Sequence, residues 1–198
     1  MKHAIIFAHP KPDSFTAAVA QAYGEAVQGL GHNIIRRDLY RLGFDPVLKP
    51  CELPTGENFA PGLDVTAERT MLQDIDVFAL IYPLWLNTPP AMMKGYLERV
   101  FGFGFAYGGD GRSSNPLLTG RTLISFSSSG APLAWVQKTG ALDAICKLFD
   151  RYFCELCGMT PVEHVHFGAI VPEASDSFVQ ARLHDVRQAA LAHFGKLT

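Results

Sequence analysis

The feature of this sequence that most constrains its fold is a regular alternation of short apolar runs with amphipathic segments. The apolar runs predict five strands, at residues 3–8, 33–39, 77–82, 122–126 and 162–170. Segments with helical periodicity separate them, and we expect helices near residues 15–30, 66–74, 90–101, 142–157 and 177–194. Strands that alternate with helices in this way form a parallel sheet with helices on both faces.

Five strands suit the doubly wound order 2-1-3-4-5, in which the loops after strands one, three and four meet at one crevice. We therefore predict an α/β three-layer sandwich forming a single domain over residues 1–198. A proline-punctuated connection over residues 44–61 far exceeds the usual ~4–6 residues, so it is either functional or packed against a partner.

Composition excludes several classes of function. With a formal net charge of -2, the chain gives no electrostatic reason to expect binding to nucleic acid or to an anionic membrane. Its first residues lack the pattern of a signal peptide, and no apolar segment approaches the ~20 residues of a membrane span. We expect a cytoplasmic protein that does not insert into a membrane.

The loop after the first predicted strand, HPKPDSFT, begins at His9 and leads into a helix. A helix N-terminus favours an anion, and Ser14, Thr16, His9 and Lys11 add hydroxyls and positive charge, so the loop suggests a phosphate cradle. An ordinary capped helix would explain the same residues. Neither GxGxxG nor GxxxxGK[ST] is present, which disfavours a dinucleotide Rossmann site and an NTPase P-loop.

Two further loops are predicted to reach the same edge of the sheet. Pro83 to Asn87 follows the third strand and displays Trp85, which suits a flat heteroaromatic ligand, although a lone tryptophan also serves as a structural anchor. The loop after the fourth strand, SSSG, combines hydroxyl donors with a glycine that lets a ligand approach the backbone. The convergence of three such loops predicts a ligand crevice.

Two patterns that resemble metal sites are given structural interpretations. Cys154 and Cys157 are spaced as CxxC but lie in a predicted helix without a second ligand pair. His164 and His166 alternate on the fifth strand, and no third ligand has suitable spacing. We assign no metal.

The three loop segments, together with P-A-x-x-K-G-Y-x-E-R-V-F at residues 90–101, resemble the flavodoxin-like NAD(P)H:quinone reductases. That family includes the DT-diaphorase-type, modulator-of-drug-activity and potassium-efflux-associated enzymes. The resemblance runs from residue 3 to about residue 172. It implies a bound flavin, a homodimer whose active sites lie at the subunit interface, and hydride transfer from NADPH or NADH to a quinone-like acceptor. The flavin-binding residues that it implies are His9, Ser14, Phe15, Thr16, Pro83, Leu84, Trp85, Leu86, Asn87, Ser127, Ser128, Ser129 and Gly130.

The resemblance also implies catalytic positions. Tyr107 matches a tyrosine that borders the substrate pocket of the partner subunit. Trp135 and Ala141 stand where the DT-diaphorase-type enzymes have a tyrosine and a histidine that assist proton transfer, so that relay is not expected here. Arg182 resembles an arginine that touches the adenosine half of FAD, and we therefore expect FAD, with FMN as the close alternative.

Alternative functions use the same features. An azo- or nitro-reductase would use the same site, and an ancillary regulatory subunit of a membrane transporter would use the long connection for docking. A one-electron carrier is disfavoured, because such flavoproteins have a Thr/Ser-rich phosphate loop and a strongly acidic surface.

Overall fold

A computed structural model describes residues 1–54, 59–109 and 115–195. Its strands are β1 (Lys2–Phe7), β2 (Asn33–Asp38), β3 (Val77–Pro83), β4 (Tyr107–Gly108), β5 (Asn115–Pro116), β6 (Thr122–Ser128) and β7 (Thr160–Phe167). Its α-helices are α1 (Phe15–Gly29), α2 (Leu63–Leu72), α3 (Ala91–Val100), α4 (Leu133–Lys138), α5 (Ala141–Ile145), α6 (Phe153–Cys157) and α7 (Asp176–Phe194). A π-helical segment (Cys146–Tyr152) joins α5 to α6.

The sheet has the order β2-β1-β3-β6-β7, and each neighbouring pair is parallel. This confirms the predicted order 2-1-3-4-5, because β6 and β7 are the fourth and fifth predicted strands. Apolar side chains cover both faces of the sheet: α1 and α7 pack on one face, and α3, α5 and α6 pack on the other. In the described parts of the chain, no helix is long and apolar enough to cross a bilayer.

The fifth strand is shorter than predicted and ends at Phe167. Gly168 lies so close to α4 that a Cβ atom there would stand 2.3 Å from the backbone nitrogen of Leu133. Ala169 follows with a φ of 58°, which extended strands do not adopt. The chain therefore turns away from the sheet immediately after β7. The short hairpin of β4 and β5 was not predicted, and Gly111 of the neighbouring glycine-rich loop lies outside the described residues.

The long connection packs on its own chain through a buried arginine. Arg99 of α3 donates to both carboxylate oxygens of Glu52, at 2.8 and 2.7 Å, and to Asp64 at 2.7 Å. A Cβ atom at Gly95 would stand 2.1 Å from the carbonyl oxygen of Pro46, so glycine is required for this close approach. These contacts hold the described part of the connection against α3.

Candidate functional site: a cleft at the carboxyl ends of the strands

A cleft of about 440 Å³ opens where β1, β3, β6 and β7 end. This size lies within the ~300–1,000 Å³ of small-molecule sites. The predicted residues that line it are His9, Ser14, Phe15, Thr16, Pro83, Leu84, Trp85, Ser128, Ser129 and Gly130. The three predicted loops therefore meet, because parallel strands present their carboxyl ends at one edge.

The first wall of the cleft is the amino-terminal end of α1. Ser14 caps the helix, and its hydroxyl accepts a hydrogen bond from the backbone N–H of Ala17 at 3.2 Å. His9 is held by the backbone N–H of Lys11, which donates to Nδ1 at 3.1 Å. Burial lowers the pKa of His9, so the positive charge at this end comes chiefly from Lys11 and from the helix dipole. This arrangement can hold an anionic group.

The second wall is a tight turn that begins at Trp85. The backbone groups of Trp85 and Thr88 exchange two hydrogen bonds, at 3.0 and 3.1 Å, and Leu86 and Asn87 between them have φ angles of 53° and 58°. Positive φ at both central residues defines a type I′ turn, and a leucine in that conformation is strained. The indole ring of Trp85 packs on His9, with ring centroids 5.8 Å apart. Leu86 is fully exposed, and neither it nor Asn87 lines the cleft.

The third wall is the loop after β6, which is joined to the second wall by the backbone N–H of Leu84 donating to the carbonyl of Ser128 at 2.6 Å. Ser128, Ser129 and Gly130 line the cleft. Ser127 does not, because it is buried and its hydroxyl contacts His164 and His166 beneath the cleft.

A fourth wall was missed by the sequence analysis. It consists of Ile170, Val171, Pro172 and Ala174 after β7, together with Val179 of α7. The predicted strand was extended to residue 170, which hid the turn at Ala169 that brings this loop over the cleft. The available signal in the sequence was the pair Gly168 and Pro172, since glycine and proline mark turns and loops.

Three other predicted residues lie outside the lining of the cleft. Arg182 of α7 lies beside Asp185, with a nitrogen–oxygen distance of 3.2 Å, and over the ring of Phe178. Trp135 of α4 is half exposed. Tyr107 lines a different cavity, so this chain alone does not bring it to the cleft.

That second cavity is an apolar groove of about 470 Å³ between α3 and the π-helical segment. Phe101, Phe103 and Tyr107 line it, together with Leu148 and Tyr152, whose exposed fractions are 60% and 61%. Large apolar side chains with this exposure mark a surface suited to a protein partner.

The predicted histidine pair on β7 lies beneath the cleft and contacts Ser127. His164 and His166 approach its hydroxyl at 2.7 and 2.8 Å, and His164 also contacts Asp150 of the π-helical segment at 2.7 Å. Asp150, His164 and Cys146 offer possible ligand atoms within 4.8 Å of one another. The hydrogen bond between His164 and Asp150 accounts for the closeness of those two residues, and we assign no metal.

The thiols of the CxxC pattern are buried in the apolar core on the face of the sheet that α3, α5 and α6 cover. Burial raises the pKa of the Cys157 thiol to about 12 and that of Cys154 further still. A reactive cysteine requires a lowered thiol pKa, so both residues serve as core side chains.

Comparison with known proteins places this cleft in context. A family model described as "Flavodoxin-like fold" matches residues 1–190. The chain is 34% identical over 171 residues to an uncharacterized NAD(P)H oxidoreductase of Haemophilus influenzae, across 86% of this chain and 85% of that protein. It is 30% identical over 146 residues to NAD(P)H dehydrogenase (quinone) 1 of Rattus norvegicus, across 64% of this chain and 53% of that one.

A solved structure gives a similar result. The NAD(P)H:quinone oxidoreductase from Methanothermobacter marburgensis superposes with a TM-score of 0.85 and 27% identity, covering 96% of this chain and 95% of that one. The chain therefore spans nearly the whole of the Methanothermobacter enzyme and about half the length of the rat relative.

Proposed function

The chain belongs to the flavodoxin-like family of NAD(P)H:quinone oxidoreductases, and from this membership we propose that it is a flavin-dependent enzyme that reduces a quinone-like acceptor. NADPH or NADH is the proposed electron donor, and two electrons pass as hydride in a ping-pong cycle. The cytoplasmic location expected from the sequence stays a prediction.

The observation that carries the proposal is the composition of the cleft. One wall has the amino terminus of α1 and Lys11, which suit a phosphate or pyrophosphate. The neighbouring walls have the indole of Trp85 and the small residues Ser129 and Gly130, which suit a flat ring with polar edges. A cleft with both an anion-binding wall and an aromatic wall fits a flavin nucleotide.

A bound flavin supplies the hydride chemistry, and the protein supplies binding and electrostatics. Ser128 and Ser129 line one edge of the cleft, where Ser128 offers a hydroxyl, and Gly130 leaves that edge open. A hydrogen-bond donor at this edge favours negative charge that develops during reduction. FAD is the proposed cofactor. FMN is the close alternative, because Arg182, which was expected to touch the adenosine half of FAD, stands apart from the cleft.

Steady-state oxidation of NADPH and NADH tests the activity. We expect oxidation that depends on an added quinone, with an azo dye as a second acceptor that uses the same site. The proposed function is contradicted if NAD(P)H is oxidised at the same rate without an acceptor, or if no quinone supports its oxidation. Mass analysis of the cofactor released by denaturation distinguishes FAD from FMN.

We further propose a homodimer in which the apolar groove meets a second copy of the chain. The groove exposes Leu148 and Tyr152, and it contains Tyr107, which would border a cleft only across a subunit interface. Replacing Leu148 with Glu places a charge on this surface and should convert a dimer to a monomer in light-scattering measurements. Leu191, 40% exposed on α7, gives the matched control Leu191→Glu. A wild-type monomer contradicts this assignment.

A further inference from the structure

A series of hydrogen-bonded side chains runs from the π-helical segment to the cleft. The carboxylate of Asp150 contacts Nδ1 of His164 at 2.7 Å, and Nε2 of His164 contacts the hydroxyl of Ser127 at 2.7 Å. The same hydroxyl contacts Nδ1 of His166 at 2.8 Å, and Nε2 of His166 contacts the hydroxyl of Ser129 at 3.0 Å. Because Ser129 lines the cleft, the series joins the protein interior to the proposed flavin site.

The charges of the two histidines are set by their surroundings. Burial opposes the charge on His164, but hydrogen bonds to Asp150 and Cys146 overcome it and raise the pKa of His164 to about 9. Burial, and then the neighbouring His164, lower the pKa of His166 to about 4. At neutral pH His164 is therefore an imidazolium ion and His166 is neutral.

These charges fix the direction of every hydrogen bond. His164 donates from both nitrogens, to Asp150 and to Ser127; Ser127 must then donate to Nδ1 of His166. His166 accordingly carries its proton on Nε2 and donates to Ser129, whose own proton is directed to the carbonyl of Ala131 at 2.9 Å. Each donor has one acceptor, and the successive bonds from Nε2 of His164 through Ser127 and His166 to Ser129 all run toward the cleft.

The groups that surround His164 support the ion pair. On the π-helical segment, Asp150 also accepts from the hydroxyl of Ser125 at 2.7 Å, and Cys146 lies beside it. From β3, Tyr82 turns the edge of its ring toward His164, at a centroid distance of 6.3 Å. Its buried hydroxyl has no hydrogen-bond partner in the parts of the chain that the structure describes. Asp150 is therefore the anion that faces His164 within this group.

We propose that Asp150, His164, Ser127, His166 and Ser129 form a proton path that supplies the cleft, with Asp150 and His164 as the proton store. This inference rests on the proposed function, which requires such a supply. Reduction of a quinone by NAD(P)H consumes one hydride and one proton, and only the hydride comes from the nicotinamide. Trp135 and Ala141 carry no acid or base for this purpose.

The net result of the transfer is that one proton moves from His164 to the cleft. The hydroxyl of Ser129 turns from the carbonyl of Ala131, gives its proton to an acceptor in the cleft and takes the Nε2 proton of His166. His166 in turn takes the proton of Ser127 at Nδ1. Ser127 then takes the Nε2 proton of His164, leaving His164 neutral and still donating from Nδ1 to ionised Asp150. The other histidine and both serines keep their number of protons. After the product has left, a proton from water in the cleft restores His164 by the reverse of these transfers, because the His164 side chain is itself buried.

Ser127→Ala interrupts the path at its centre, and Ser125→Ala is the matched control. Both serines are buried on the same face of β6, but Ser125 contacts only Asp150 and lies off the path. In stopped-flow measurements on the flavin-loaded enzyme, we expect Ser127→Ala to slow oxidation of the reduced enzyme by a quinone by about tenfold or more. Reduction by NAD(P)H should change little. Ser125→Ala weakens the hydrogen bonding of Asp150 but leaves the path intact, and it should slow the quinone half-reaction less than Ser127→Ala does.

Nitrogen NMR of the histidines gives a readout that is independent of turnover. In wild type at pH 7, His164 should show two protonated nitrogens and His166 a single proton on Nε2. The pH at which His164 loses its proton should coincide with the upper limit of the pH profile for the quinone half-reaction, and this coincidence should vanish in Ser127→Ala.

The outcomes separate the two proposals. A neutral His164 at pH 7, or equal quinone rates in Ser127→Ala and Ser125→Ala, overturns the proton path. A protein that binds no flavin overturns the proposed function instead, and the histidine spectra of the two variants then still decide whether the directed hydrogen bonds exist.

Discussion

The rings of Trp85 and His9 pack with their centroids 5.8 Å apart, and this contact joins the turn after β3 to the loop after β1. The indole therefore has a neighbour on one side and the cleft on another, although 44% of its surface remains exposed. A tryptophan fixed in this way can present a flat face to a ligand without first losing rotamer freedom.

Replacing Trp85 with Ala should weaken flavin binding, because stacking and aromatic contacts contribute ~0.5–1.5 kcal/mol beyond the area they bury. This range corresponds to up to about tenfold in Kd, measurable by fluorescence titration of the flavin-free protein. Trp135→Ala is the matched variant, since Trp135 has a similar exposed fraction of 50% but lies outside the cleft. Equal loss of flavin affinity in both variants would show that the indole of Trp85 does not contact the flavin.

Gly130→Val should separate binding from folding. Among the described residues, a Cβ atom at Gly130 meets only the carbonyl oxygen of Ile170 at 3.9 Å and Val171 Cγ1 at 4.0 Å, so a branched side chain is accommodated at the cleft wall. The added methyl groups narrow the ligand space, and we expect flavin affinity to fall by about tenfold or more, with the free energy of unfolding nearly unchanged. Gly29→Ala, at the end of α1 with open space around it, controls for loss of a glycine. Undiminished affinity in Gly130→Val would place the flavin elsewhere.

Glu52→Gln should destabilise the fold, because it removes the buried carboxylate beside the guanidinium of Arg99 and leaves the more exposed Asp64 as its anionic partner. We expect a loss of about 2 kcal/mol in the free energy of unfolding, measured by urea denaturation. The exposed pair of Lys94 and Glu98 on α3 provides Glu98→Gln, which should cost less than about 0.5 kcal/mol. Similar losses in the two variants would mean that the connection is not held by Arg99.

His3 should make the fold sensitive to acid. Burial, the neighbouring His32 and the N-terminal amino group lower its pKa from 6.5 to about 4, although Asp76 opposes this. Between pH 6.5 and pH 4 the unfolded chain binds a proton at His3 that the folded chain does not. The contribution of neutral His3 to the free energy of unfolding is therefore complete above pH 6.5 and is lost as the pH is lowered toward 4.

The variant His3→Gln should lose this contribution. Its free energy of unfolding should fall less than that of wild type between pH 6.5 and 4, by about 3 kcal/mol. His184, exposed on α7, supplies the control His184→Gln, which should follow wild type. Identical pH dependence in His3→Gln and wild type would show that His3 is already protonated in the fold.

The sheet order was predictable because apolar runs and helical periodicity are local properties of the chain, and parallel connections are restricted by handedness. The positions of the first three loops followed from that order. The Ser127 network could not be predicted, because it depends on the register between β6 and β7. A bulge at Leu123 and Ile124 shifts that register and places His164 and His166 opposite Ser125 and Ser127.

Side-chain direction at the ends of strands was also beyond the sequence. Four consecutive residues, Ser127 to Gly130, were expected to face one ligand edge, but Ser127 lies within β6 and its buried hydroxyl contacts two histidines of β7 instead. Leu86 was expected beside the ring, whereas the type I′ turn points it into solvent. Such details depend on where a strand stops, which periodicity locates only to within a few residues.

The central claim is that the cleft between the His9, Trp85 and Ser129 loops holds a flavin, and the visible absorption spectrum of the purified protein tests it most directly. We predict flavin bands near one equivalent per chain, either as isolated or after reconstitution with FAD or FMN, and bleaching of those bands when NADPH or NADH is added without oxygen. A correctly folded protein that stays colourless after incubation with both flavins would contradict the account.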